Sequence, residues 1–325
     1  MYFGLASQID KMIEATTPVT LAHYIDILPN EVLANILEQV GLAYPAHADV
    51  QYDLARVCRR FRQIVLHLPR LWTRVWTTSP NRRILNNLER SREMGLDVRL
   101  YPVPLPVAGI ESSTARVNSL LSHAHRWQEL CLTVEHRYTP VVIPIWVPMP
   151  MPRLRMLKIK RDQFVEPVED RNSFTSDWHM PNLHTLKLFN MLPYHRSNGS
   201  LRYFSFKIVA GQRESEFFSR AACEHLREFL TSSPQLETLK LDFSSTATGD
   251  MSRLIVKRLP AVRVLHIRVN FIGYLGHLDE NRIVTPFVDI VNSLSTPALE
   301  KVVIRLAGLD TDDIKVLLDG LLPVW

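Results

Sequence analysis

Glycine is scarce in this chain, with eleven residues among 325 and no glycine-rich run. Gly273 and Gly276 lack the third glycine and the strand-turn-helix setting of a dinucleotide fingerprint, which argues against nucleotide binding. Cysteine is scarcer still. Cys58, Cys131 and Cys223 are odd in number and far apart, without the paired spacing of a zinc site or a disulfide framework. A reducing compartment, cytosol or nucleus, fits that usage. Long apolar runs are missing too: no segment reaches the roughly eighteen successive apolar residues of a membrane span. The opening MYFGLASQIDKMIEATTP carries acidic residues and no signal-peptide core. The stretch Val141 to Met151 is interrupted by Pro144, Pro148 and Pro150 and reads as a loop.

Catalytic signatures are equally absent. There is no G-x-S-x-G elbow and no H-E-x-x-H helix, so nucleophilic and zinc-hydrolase chemistry have no anchor. His123 and His125 flank Ala124, but residues two apart on a helix point in different directions, and no second ligand pair follows. The pairs Glu169-Asp170 and Asp312-Asp313 fall in charged, solvated segments. No catalytic residue, cofactor or metal is expected.

What is present is an ordinary globular balance, 46% hydrophobic and 22% charged. The length suits about two domains and lets most of the unfolded chain's surface be buried. The formal charge is +5 and the isoelectric point about 9.1. That excess is too small and scattered to argue nucleic-acid binding by itself, though it can steer acidic partners.

The segment from Tyr24 to Trp76 has a helical period. Val32, Leu33, Ile36, Leu37 and Val40 recur at spacings of three and four on one face. Pro29 stands at the first turn, where a missing N–H is tolerated, and Gly41 is expected to end the run. A second helix places Leu54, Val57, Cys58, Phe61, Ile64 and Val65 on a common face, with Arg56, Arg59, Arg60 and Arg62 elsewhere on it, until Pro69. Cys58 reads as a small buried hydrophobe. A shorter piece, Leu71, Trp72 and Val75, follows. Three such helices can hide their apolar stripes only against one another or a partner.

These residues carry a family resemblance. ILPNEVLANIL, then LARVCRRFRQIV, then LPRLWTRVW resembles the F-box, over about fifty residues in three correctly ordered parts. Leu28, Pro29 and Glu31 match its Leu-Pro-acidic opening. Val57, Cys58, Arg59 and Phe61 match its Val-Cys-basic-x-aromatic helix, and Trp72 its tryptophan. The loop from Leu42 to Gln51 is longer than in compact members. The resemblance implies docking on a Skp-family adaptor that links the chain to a cullin scaffold. It assigns that contact to Leu28, Pro29, Glu31, Val32, Leu33, Ile36, Leu37, Leu54, Val57, Cys58, Arg59, Phe61, Leu71 and Trp72. The physical mode is helix-in-groove recognition, with the tryptophan as an energetic anchor.

Beyond Pro80 a motif returns: apolar, two variable, apolar, one variable, apolar. It begins at Trp127, Leu154, Leu183, Leu201, Leu236, Val262 and Leu299, with a proline two residues earlier at Pro152, Pro181, Pro234, Pro260 and Pro297. The alternation is that of half-buried strands. Helical patterns lie near Ile84 to Met94, Arg116 to Ala124 and Cys223 to Leu230, and an earlier strand at Leu96, Val98 and Leu100. A strand of this kind cannot bury its face alone, so such units stack. The motif resembles leucine-rich repeats, although its starts are unevenly separated and the Asn that follows the strand in regular repeats has a counterpart only at Asn270.

The expected fold is therefore a small three-helix F-box followed by an irregular leucine-rich-repeat-like solenoid, an α/β curved array of parallel strands and helices. Its expected boundaries are a tail or helix over 1–22, the F-box over 23–79 and the array over 80–325. This order, with LPRLW and HAHRWQEL, resembles the large F-box-like families of basidiomycete fungi. The resemblance implies a non-catalytic substrate receptor of a Skp-cullin-F-box ubiquitin ligase that grips a protein target through the array. The alternative is an interaction scaffold outside any ligase. Insertions over 160–180, 190–199 and 243–251 place Phe164, Phe174, Trp178 and Tyr194 as candidate target contacts. No membrane or nucleic-acid partner is expected.

Overall fold

A computed structural model describes residues 25, 27–44, 47, 49–101, 110–134, 149–162, 178–193, 199–209, 220–244, 259–270 and 298–307. The expected N-terminal tail, the candidates Phe164, Phe174 and Tyr194, and the putting of Pro297 before the last strand lie outside those residues. The chain divides into two compact units: residues 1–74 with 86–94, and residues 75–85 with 95–325.

The first unit is helical. Its helices are α1 (Asn30–Ala43), α2 (Val50–Val57) and α3 (Arg59–Leu66), followed by a 3₁₀ turn at Pro69–Trp72. Two details differ from the sequence expectation. Gly41 does not end α1; it is buried inside the helix, where any Cβ would run into the Leu71 side chain. Its role is close approach rather than termination. The expected second helix is broken in two at Cys58, whose backbone is extended (φ −156°, ψ 172°). The Cys58 thiol is exposed and accepts a hydrogen bond from the Phe61 amide at 3.4 Å, so it caps α3 instead of filling a core. Pro69 opens the 3₁₀ turn from its first position.

The second unit is a nine-stranded open sheet with strands in sequence order: β1 (Arg74–Trp76), β2 (Leu96–Leu100), β3 (Trp127–Val134), β4 (Met156–Arg161), β5 (Thr185–Phe189), β6 (Tyr203–Val209), β7 (Thr238–Ser244), β8 (Val264–Asn270) and β9 (Lys301–Ala307). Val75, expected in a helix, lies in β1. Every pairing from β2 to β9 is parallel. Helix α4 (Asn81–Arg90) joins β1 to β2; α5 (Ile110–Leu121) lies between β2 and β3, and α6 (Arg220–Thr231) between β6 and β7.

The register explains why the motif repeats. Leu130, Leu157, Leu186, Phe204, Leu239 and Leu265 stand side by side across β3 to β8, and all are buried. A one-residue slip would send a whole strand's apolar set to the other face, so the alternation itself fixes the pairing. The prolines have a shared task. The amides of Leu154, Leu183, Leu236 and Val262 bond back to the carbonyls of Met151, Met180, Ser233 and Leu259. Pro152, Pro181, Pro234 and Pro260 thus occupy the second position of a β-turn that aims each strand into the sheet, where a fixed φ near −65° suits the turn.

One buried polar residue ties three strand ends together. Asn190, directly after β5, has φ 54°, a left-handed conformation that Asn tolerates better than most residues. Its Nδ2 donates to the carbonyls of Arg161 and Asp162, and its Oδ1 accepts from the Val209 amide at 2.6 Å. The expectation that only Asn270 has this place is therefore corrected. Replacing Asn190 with Ala removes those bonds in a buried setting and leaves a less tolerant residue at positive φ. The expected cost is about 2–3 kcal/mol, read as a lower urea midpoint at unchanged slope. A change under about 0.5 kcal/mol would contradict this account of the strand ends.

Among the described residues, no helix is long and apolar enough to cross a membrane. Nor, among them, do three His, Cys, Asp or Glu side chains stand where they could hold a metal ion.

Candidate functional site

The first unit's interior is built from Leu33 and Leu37 of α1, Val65 of α3, and Leu71 and Trp72 of the 3₁₀ turn. Tyr52, Leu54, Ala55, Phe61, Ile64, Leu66 and Leu68 pack around them. Trp72 is 2% exposed, and its Nε1 donates to the Val65 carbonyl at 2.9 Å. Its ring meets Tyr52 edge-on at 5.3 Å, and the Arg90 guanidinium lies over it at 5.0 Å. The tryptophan is therefore satisfied from within the unit on both its apolar and its polar side.

This arrangement corrects part of the sequence reading. Leu33, Leu37, Leu71 and Trp72 were expected to touch a partner, and they are interior. Leu54 and Phe61 are partly buried against that interior. Leu28 is half-buried, and Pro29, Glu31, Val32, Ile36, Val57, Cys58 and Arg59 are exposed. The exposure of the apolar members is large: 42% for Val32, 44% for Ile36 and 64% for Val57. Ile27, which the sequence reading did not select, is 65% exposed. Val32 and Ile36 stand one turn apart on the outward side of α1, next to the inward Leu33 and Leu37. Helix α1 thus carries apolar residues on more of its circumference than its own core uses.

Two arginines hold α1 in place, and neither was legible as more than a surface charge. Arg60 of α3 donates through Nε to Asn30 Oδ1 at 2.9 Å, and through its terminal nitrogens to the carbonyls of Ile25 and Leu28. It fixes the Leu28-Pro29 entry to the helix. Arg74 donates to the Gly41 carbonyl at 2.7 Å and to that of Tyr44 at 3.2 Å, satisfying carbonyls that every helix C-terminus leaves open. The signal in the sequence for Arg60 was only the run of arginines after Val57, and for Arg74 there was none. Val32 and Ile36 are therefore presented on a helix pinned at both ends, which lowers the ordering cost of binding.

In the second unit, Trp178 does not serve as an exposed contact. It is 4% exposed, beside the bridge between Pro150 and His179. Cys131 of β3 is half-buried, and burial pushes its thiol above the ordinary range despite the nearby Lys158 and Arg99. That direction opposes thiolate chemistry.

No curated protein matches the chain. Residues 25–78 match a family model described as F-box-like, a span that contains the pinned helix, its exposed apolar side and the buried tryptophan. Residues 25–78 are thus an F-box-like domain, the kind of module that implies binding to a Skp-type adaptor.

Proposed function

We propose that this protein is the substrate receptor of a Skp-cullin-F-box ubiquitin ligase, performing no chemistry itself and acting in the cytosol or nucleus. The observation that carries the reading is the exposed apolar set Ile27, Val32, Ile36 and Val57 on a domain whose core is complete without them. Exposed apolar side chains gathered on one small module favour burial by a partner. Leu28, Pro29, Glu31 and Arg59 would flank that contact. Leu33, Leu37, Leu71 and Trp72 would act indirectly, by holding α1 in shape.

The sheet unit would be an irregular leucine-rich-repeat-like array, a curved solenoid whose strand row holds the target. The sequential parallel strand order, with a proline turn ahead of β4, β5, β7 and β8, supports that reading. Position rather than catalysis would then bring the target to the conjugating enzyme.

The test is co-purification with a Skp-family adaptor. Val32→Glu combined with Ile36→Glu places two charges where apolar area should be buried, and adaptor affinity should fall by about a hundredfold or more. Because both side chains are exposed in the free protein, the unfolding midpoint should stay within about 2 °C. Undiminished adaptor recovery by the double variant, or no recovery by the parent chain, would overturn the reading.

A further inference from the structure

The interior-facing rows of the sheet are apolar apart from Arg161 at the end of β4, but the opposite face is not. Alternation along β4 to β7 turns Lys158, Lys160, Lys187, Lys207 and Lys240 to that side. Parallel pairing sets Lys158 beside Lys187, Phe189 between Lys160 and Lys207, and Ser205 between Lys187 and Lys240. In these two rows of four strands the one carboxylate is Asp242, 3.1 Å from the Lys207 ammonium. Like charges directly opposite on neighbouring strands cost stability, as at Lys158 and Lys187. Among the described residues, no carboxylate forms an ion pair with Lys158 or Lys187 to offset that cost.

Two aromatic rings order this charge. The ammonium groups of Lys160 and Lys207 lie 5.6 and 5.8 Å from the Phe189 ring centre. Those of Lys187 and Lys240 lie 5.6 and 5.4 Å from that of Tyr203. Cation–π contacts hold the lysines in place before any ligand arrives, so less side-chain entropy is lost on binding. The positive field continues into β8. There His266, in the same row as Lys240, is held below the usual imidazole range, first by burial and then by Lys240, Lys301 and Arg305.

We propose that this lysine-and-aromatic face binds an extended, aspartate- and glutamate-rich segment of the target protein. The inference rests on the reading of the sheet unit as the part that holds the target. Three features select the occupant. Charge complementarity requires an anion. By strand geometry Lys158 and Lys187 are about 4.8 Å apart across adjacent strands, Lys160 and Lys207, like Lys187 and Lys240, about 9.6 Å apart across two, and Lys158 and Lys160 about 6.6 Å apart along β4. Carboxylates on an extended chain are spaced alike, whereas a single phosphate needs donors converging on one point. Lysine also presents a point charge without the fork that makes arginine the usual phosphate clamp. Finally, the flanking ammonium groups already occupy Phe189 and Tyr203, so these rings are not open platforms for stacked bases.

The experiment uses the full chain and a fluorescein-labelled peptide of alternating glutamate and serine, followed by anisotropy at low salt and at about 150 mM salt. The parent should bind, and more weakly at the higher salt. Lys158→Glu, Lys187→Glu and Lys240→Glu together should lower affinity by about tenfold or more. Arg82→Glu, Arg153→Glu and Arg227→Glu change net charge equally at exposed positions away from this face, and should leave it within about twofold. Equal loss in both variants would reduce the effect to bulk charge and overturn the proposal. So would tighter binding of a phosphoserine peptide or a single-stranded oligonucleotide of matched charge. Adaptor recovery is measured on the same samples: adaptor bound without peptide sinks this inference alone, and peptide bound without adaptor sinks the ligase reading alone.

Discussion

Trp72→Ala should unfold the N-terminal unit or leave it barely folded. Truncating a buried tryptophan costs about 3–5 kcal/mol through lost transfer energy and the cavity that remains. Here the loss is compounded, because the Val65 carbonyl is deprived of its 2.9 Å donor, and Tyr52 and Arg90 lose the ring they contact. A whole domain is stable by only about 5–15 kcal/mol, so this one side chain holds a large share. Hydrogen exchange is the measurement that separates the units: amides of α1 to α3 should lose protection, while those of β3 to β8 should keep it. Adaptor binding should disappear as well, through collapse of the helix that presents Val32 and Ile36. Normal protection in α1 to α3 would show that the ring is not the keystone of that core. The pairing with the Val32→Glu and Ile36→Glu variant is informative: one loses adaptor with the fold, the other without it.

Phe204→Ala should have a comparable effect on the sheet unit. The side chain is fully buried at the middle of the apolar row formed by Leu157, Leu186, Leu239 and Leu265. Its ring lies 4.7 Å from Phe229 of α6 and 6.3 Å from Phe206 two residues along β6. Removing it opens a cavity where helix meets sheet, at a cost of about 3–5 kcal/mol. Tyr203→Ala, one residue earlier, makes the contrast. That ring is half-buried on the opposite face and should cost about 1 kcal/mol, from its contacts with Lys187 and Lys240. Urea unfolding of the two variants distinguishes them. Equal midpoints would mean that the two faces of β6 are not divided into interior and surface as described.

Much of the strand layout was legible before any coordinates. The apolar-x-apolar endings of the motif mark β3 to β9, because alternation with a period of two is sufficient to define a half-buried strand. The proline two residues before the motif marked its start for a reason that became visible only in the turn hydrogen bonds. Asn190 escaped notice because it stands one residue closer to its strand than the regular pattern asks. Its backbone is left-handed, and no side-chain pattern encodes a backbone angle.

The N-terminal module shows where reading a sequence stops. Val32, Leu33, Ile36 and Leu37 are equally apolar by composition, and the helical period places all four on one broad side. Which pair becomes core depends on where α3 and the 3₁₀ turn lie. Arg60, Arg74 and the close approach at Gly41 decide that from about thirty residues away in the chain. The break at Cys58 is of the same kind: the helical pattern continues through it, and only the backbone departs.

The sequence alone determined most of the elements, their order along the chain, the apolar side of the strands, and the motifs that resemble an F-box, since all of these depend on neighbours within a turn or a strand. The tertiary structure decided which apolar residues are left over for a partner and which lysines stand together. Those outcomes depend on side chains some thirty positions apart, which only parallel register and helix packing bring into contact.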